Sequence, residues 1–285
     1  MRGIRCGLAA AVLTFGMTAC AQQQEAPSSA DPGIGHVHGV GVDPSDGAVY
    51  VAGHYGLFKV TGADTAQRVA GRIADHMGFT VIGPKTFLAS GHPGEADASA
   101  PPHLGLIRTA DAGATWTTVS EGGSADFHAL QLAGDTLYAY DSQTGRVRSS
   151  ADQGATWTQG AEEKVVDLAA TATRPERVYA TTQDGVRVSG DKGQKFAPVP
   201  GAPTLTHLDA PDDKTLIGTD VEGRIQVSAD AGATWRAPGG SLPGQAGAFT
   251  AVDGKRLLAA TEDGVIHQSE DGGVSFSVVF RPAAT

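Results

Sequence analysis

The sequence predicts an all-β chain folded as a β-propeller of six blades, each of four antiparallel strands. Three observations predict it. First, five segments share the pattern Ser/Thr-x-Asp-x-Gly-x-x-Trp/Phe: TADAGATW (109–116), SADQGATW (150–157), SGDKGQKF (189–196), SADAGATW (228–235) and SEDGGVSF (269–276). Their aspartates, Asp111, Asp152, Asp191, Asp230 and Asp271, are 41, 39, 39 and 41 residues apart, a period that belongs to repeat architectures. Second, an apolar strand, a turn, a second strand, a glycine and a third strand recur upstream of each segment. The glycines that open the third strand, Gly56, Gly105, Gly145, Gly185, Gly223 and Gly264, count six repeats. Third, the chain has 39 glycines, short strands at this spacing and no helical periodicity, a combination that reads as a propeller.

Each repeated segment reads as a turn. Glycine supplies a backbone conformation that other residues resist, the aspartate accepts hydrogen bonds from nearby amides, and the aromatic residue packs between sheets. The five segments resemble the Asp-box, or BNR, repeat, which implies that each closes the hairpin between the third and fourth strands of a blade and that the aspartates are structural. The first repeat, GLFKVTGADTAQRV, has no recognisable box.

The first nineteen residues, MRGIRCGLAAAVLTFGMTA, combine a basic start at Arg2 and Arg5 with an apolar stretch of secretory length, and read as a signal peptide. MTAC resembles a bacterial lipobox with Met17 in place of the usual Leu, which implies cleavage before Cys20 and lipidation of its thiol. Residues 20–35 then form the lipidated cysteine and a flexible tether, and 36–285 form the propeller. Cys6 and Cys20 are the two cysteines of the chain, so the propeller has neither a disulfide nor a thiolate ligand. The formal charge is −10 for the whole chain and −12 without Arg2 and Arg5, which argues against a nucleic-acid partner.

Antiparallel pairing places the histidines. Let strands a to d run outward from the channel. The start of a and the end of b then share one face, opposite the repeated turns. His36 and His38 open strand a of blade 1 in IGHVHGVGVD, and His54 closes its strand b. His76 opens strand a of blade 2, and His92 closes its strand b in the matching context Gly-His. His103 lies in an insertion at 92–104, where the glycine spacing stretches to 49 (Gly56 to Gly105). His128 opens strand a of blade 3, and His207 opens strand a of blade 5 at the same mouth. His267, on a third strand, falls elsewhere. Residues i and i+2 of a strand share a sheet face about 7 Å apart, and neutral imidazole is a common Zn and Cu ligand.

His36, His38, His54, His92 and His128 are therefore the expected metal ligands. His76, His103, Asp126, Asp141, Asp167 and His207 are further ligands or orienting groups. The donor set suits Cu or Zn, and Met77 beside His76 leaves Cu(I) open. A hydrogen-bonded polar funnel is the structural alternative.

The chain is also similar to the bacterial group labelled glycosyl hydrolase or exo-sialidase-like, which implies a possible hydrolase. A sialidase needs three arginines at the channel and a tyrosine nucleophile. Arg108, Arg146, Arg187 and Arg224 fall on third strands instead, and Tyr138, Tyr140 and Tyr179 read as packing residues. A two-carboxylate glycosidase would draw on Asp126, Asp141, Asp167, Glu162 or Glu163. Resemblance to photosystem-assembly and sorting-receptor propellers implies a third class, a protein-binding platform at the membrane. A protein or small ligand would then occupy the histidine-rich face.

Overall fold

The computed structural model describes residues 31–97 and 99–282. The expected leader, Cys20 and most of the tether lie outside the described residues. Gly33–Thr285 forms one compact unit, in which six antiparallel sheets follow one another in chain order. Blade 1 runs Val37–Val42, Val49–Gly53, Gly56–Gly62 and Thr65–Arg68. Blade 2 runs Ala74–Gly83, Thr86–Pro93, Leu106–Thr109 and Thr117–Ser120. Blade 3 runs Phe127–Ala133, Thr136–Asp141, Arg146–Ser150 and Thr158–Glu162. Blade 4 runs Val165–Ala170, Val178–Thr182, Gly185–Ser189 and Ala197–Pro198. Blade 5 runs His207–Asp209, Leu216–Thr219 and Ile225–Ser228. Blade 6 runs Ala246–Ala251, Leu257–Thr261, Ile266–Ser269 and Ser277–Phe280.

The fourth position of blade 5 is reduced to two isolated bridges, Arg224 with Ser241 and Val227 with Arg236. The chain there reads Arg236-Ala-Pro-Gly-Gly-Ser241. Pro238 lacks a donor and the glycines weaken a strand, so the ladder does not propagate.

Second strands are covered on both faces by neighbouring blades. They read as near-continuous apolar runs, and Val178–Thr182 and Leu257–Thr261 are buried throughout. Outer strands such as Thr117–Ser120 are largely exposed. The core thus lies between blades, and the aromatic residue of each repeated turn is driven into it. Trp116 packs with Leu57 and Phe87, and Trp157 lies 4.9 Å from Phe127 between ring centroids. Trp235 joins Tyr179 and Leu216, and Phe276 joins Ile225 and Leu257.

The turns share one hydrogen-bond pattern. At the first, Thr109 Oγ1 donates to Asp111 Oδ1 (2.7 Å) and accepts from Gly113 N (2.9 Å). Asp111 accepts from Thr115 N (2.8 Å) and Thr115 Oγ1 (2.6 Å). The Thr115 and Thr109 donors hold the Asp111 carboxyl at about 2, well below the usual range. The residue after each aspartate, such as Ala112 or Ala231, sits at positive φ. Its N–H reaches the a–b hairpin, as in Ala112 to the Lys85 carbonyl and Ala231 to that of Lys214.

The ring closes without a shared strand. Ile34, Val37, Val40, Val51 and Phe58 of blade 1 pack against Ala248, Leu258, Ala260, Ile266 and Phe280 of blade 6. One backbone bond, Arg281 N to Ala63 O, ties the outer edges (2.8 Å).

Candidate functional site

Five of the six inner strands carry a bulge at the same place, where the ladder skips one residue. The skipped residues are His38, Met77, His128, Val166 and Gly247. A bulge re-aims a side chain and commonly sits at a functional rim. Here it aligns His38 and His128 at the channel mouth. Both histidines also line a central cavity of about 500 Å³ with His207, Asp167 and Asp209. The glycine before each second-strand histidine is a steric requirement of this packing. A Cβ on Gly53 would lie 2.6 Å from the His36 carbonyl oxygen, and one on Gly91 would lie 2.0 Å from that of Asp75. The Gly-His pairs that end the second strands of blades 1 and 2 thus place His54 and His92 beside the opening of an inner strand.

The histidines gather into two clusters. In the first, His38 Nε2 is 3.4 Å from His54 Nδ1, and His54 Nδ1 is 2.9 Å from Asp75 Oδ2. The His36 ring lies 4.8 Å from His38 and 6.0 Å from His54 between centroids. One ligand atom from each of His38, His54 and Asp75 lies within 4.8 Å of the others. Asp75 Oδ1 is buried without a hydrogen-bond partner, since His38 Nε2 at 3.6 Å is too distant to donate. Burial depresses the His38 imidazole to about 4, helped by His36 and His54 and opposed by Asp75. His38 is therefore neutral at pH 7, the form that binds a metal.

The second cluster joins blades 2 and 3. His92, His103 and Asp126 each offer one ligand atom within 4.8 Å of the others, and the His92 and His103 ring centroids are 5.4 Å apart. His92 Nδ1 meets the Pro102 carbonyl at 3.1 Å, and its Nε2 lies 3.6 Å from Asp126 Oδ2. The same carboxylate oxygen receives His128 Nε2 (2.8 Å) and Ser142 Oγ (3.0 Å). Burial would raise the Asp126 carboxyl, but His128, Ser142 and His92 together hold it below the usual value.

The remaining expected residues lie outside both clusters. His76 is buried with its ring 5.4 Å from Trp116 and its Nδ1 without a hydrogen-bond partner, and burial lowers it to about 4. Asp75, its neighbour, takes the place at the face. Sequence reasoning missed Asp75, which stands one residue before the histidine expected to open this strand. Asp141 is corrected as a ligand, being fully buried against the Arg148 guanidinium. It does accept the Asp126 amide (3.3 Å), so it orients the loop that carries the second cluster's carboxylate. Asp167 lies in the channel wall, where its two oxygens accept the amides of Leu168 (2.8 Å) and Leu208 (3.0 Å). Burial, reinforced by Asp209, raises it to about 7. His207 bonds Thr206 Oγ1 (3.2 Å), and His267 bonds Thr261 Oγ1 (3.3 Å).

The candidate hydrolase groups are committed elsewhere. Arg146 pairs with Glu162 and Arg187 with Glu163, while Arg224 pairs with Asp220 and Glu222. Tyr138 and Tyr179 donate to the carbonyls of Pro175 and Ala231.

No protein-family model matches the sequence, and no curated protein matches it. Solved structures do. The GH74 xyloglucanase from Xanthomonas campestris aligns over 86% of this chain and 45% of its own length, with 20% identity and a TM-score of 0.54. YCF48 bound to D1 peptide aligns over 87% of this chain and 83% of its own, with 15% identity and a TM-score of 0.54. A chain of the nidogen/laminin complex aligns over 82% of this chain and 93% of its own, with 13% identity and a TM-score of 0.62. The common property is the β-propeller. At these identities the likeness shows the fold alone, and the chain spans about half the length of the xyloglucanase.

Proposed function

We propose that this protein is an extracytoplasmic, lipid-anchored Asp-box propeller whose histidine-rich mouth binds a transition-metal ion, Cu or Zn. The observation that carries the reading is the convergence of His38, His54 and Asp75 within 4.8 Å, with the buried Asp75 Oδ1 left unpartnered. A buried carboxylate oxygen without a donor is costly, and a cation beside it removes that cost. Two imidazoles and a carboxylate form a borderline donor set suited to Cu(II) and Zn(II). Three protein ligands leave at least one coordination position for water or a small ligand. The His36 ring stands beside the set, 4.8 Å from His38 between centroids.

A sialidase-like hydrolase has less support. Among the described residues no arginine lines the channel, and Asp167, the carboxyl there raised to about 7, has each oxygen on a backbone amide. Protein binding finds a parallel in YCF48 bound to D1 peptide, but no feature of the mouth selects a peptide.

Elemental analysis of the tag-free protein tests the metal: copper or zinc at one equivalent or more is expected, and none after incubation with either ion would refute it. Fractionation tests the anchor. Cys20→Ser should move the protein from the membrane into the extracytoplasmic fluid, and retention at the membrane would contradict lipid attachment there.

A further inference from the structure

The two histidine clusters share no residue. Each has its own carboxylate, Asp75 on the inner strand of blade 2 and Asp126 just before the inner strand of blade 3. We infer that the mouth holds two separate metal sites, and that His92, His103 and Asp126 bind a second divalent transition-metal ion. This rests on reading the mouth as metal-binding and extends it from one ion to two.

The second cluster is built as a site. His103 Nδ1 and Asp126 Oδ1 are both buried with no hydrogen-bond partner. The His92 Nδ1 hydrogen faces the Pro102 carbonyl, which leaves the lone pair on Nε2, the nitrogen that faces Asp126. One ligand atom from each of the three residues thus lies within 4.8 Å of the others, and two of the residues, His103 and Asp126, each keep a buried atom with no hydrogen-bond partner. A carbonyl or carboxylate on the far nitrogen is the usual way a ligating imidazole is oriented. His128 and Ser142 both donate to Asp126 Oδ2, so they fix the carboxylate while Oδ1 stays free. In this arrangement His128 is a positioning residue.

The insertion that brings His103 is anchored at its end. Leu104 N donates to the Gly91 carbonyl (2.8 Å), and Gly123 N donates to the His103 carbonyl (2.9 Å). The peptide group that follows His103 is therefore tied by its N–H to blade 2 and by its carbonyl to the turn ahead of blade 3. The donor chemistry, two imidazoles and a carboxylate without sulfur, matches Zn(II) and Cu(II).

The test is a metal count. Tag-free protein is stripped with chelator, saturated with Zn(II) or Cu(II), desalted and analysed for bound metal per chain. Wild type should hold two ions, His54→Ala one, His103→Ala one and the double variant none. His103→Gln, a milder change on the same loop, should match His103→Ala with an unchanged circular dichroism spectrum. His128→Asn should weaken the second ion by roughly tenfold or more and leave the first unaltered. A single ion in wild type that is lost in His54→Ala and retained in His103→Ala would overturn the second site and leave the first. A single ion lost only in His103→Ala would support the second site and remove the first. No bound ion would overturn both, leaving ordered water as the partner of the orphaned atoms.

Discussion

The two halves of the channel mouth use the same fold positions differently. In blades 4 to 6 the polar side chains hold the ring together. Asp167 reaches across to the amide of Leu208 in blade 5, and Asp209 reaches in turn to the amide of Ala251 in blade 6. Thr181 Oγ1 donates to the Thr206 carbonyl. In blades 1 to 3 the corresponding region carries imidazoles that face carboxylates and one another. Atoms left without partners, Asp75 Oδ1, Asp126 Oδ1 and His103 Nδ1, gather there. In the first half the carboxylates are satisfied by neighbouring backbone amides, whereas the second half keeps polar atoms without a partner. Buried polar groups in native proteins are nearly always paired, and three of the seven exceptions among the described residues fall in the two histidine clusters, which is the feature the proposed metal sites would account for.

Substitutions in each half should therefore separate binding from stability. The largest effect is expected from the double change His38→Ala and His54→Ala, which should reduce affinity at the first site by more than about a hundredfold. Calorimetric titration of the apo protein checks this, with wild type expected to bind Cu(II) or Zn(II) tighter than about 10 µM, roughly −7 kcal/mol. The metal-dependent rise in melting temperature should disappear with it, since such a rise comes from preferential binding to the native state. The apo melting temperature should hardly change. Asp167→Ala should do the reverse. It leaves two amides in the channel wall without an acceptor, a cost of about 2 kcal/mol, read by urea unfolding of the apo protein with metal affinity unchanged.

Asp111→Ala should lower the melting temperature by a few degrees and leave both mouth halves intact, because its partners all lie in one turn on the opposite face. Loss of metal binding in that variant would show that the faces are coupled. The smallest effect concerns pH. Burial lowers His207 from 6.5 to about 4, so the unfolded chain takes up the proton first and stability is lost as the pH falls from about 6.5 towards 4. His207→Gln should remove part of that loss without altering stability at pH 8. An unchanged acid limb in the unfolding curves would assign the loss to the other histidines lowered by burial, His38, His76 and His267.

The architecture was legible because the repeated turn encodes itself locally. The serine or threonine, aspartate, glycine and aromatic residue each make a bond or contact within a few residues or with the adjacent blade. The histidine face was legible for a different reason: antiparallel pairing alone puts His36, His38, His54, His92 and His128 at the end of the sheets away from the turns. Partner identity was not legible. Asp75 and His76 are neighbours, and a bulge between His76 and Gly78 decides what faces the mouth. Such a shift depends on close backbone approach at Gly91 rather than on the pattern of polar and apolar residues. The missing outer strand of blade 5 was hidden similarly, since its cause is the Pro-Gly-Gly segment and not the repeat.

The most direct measurement follows each imidazole during metal addition, by long-range proton–nitrogen NMR of protein labelled at histidine. Zn(II) should move the ring nitrogen signals of His38, His54, His92 and His103 at stoichiometric metal, and Cu(II) should broaden the same signals. His207 and His267, bonded to hydroxyls of blades 5 and 6, should keep their positions throughout. Unchanged spectra with both ions, or equal shifts at all nine histidines only with metal in large excess, would contradict the account.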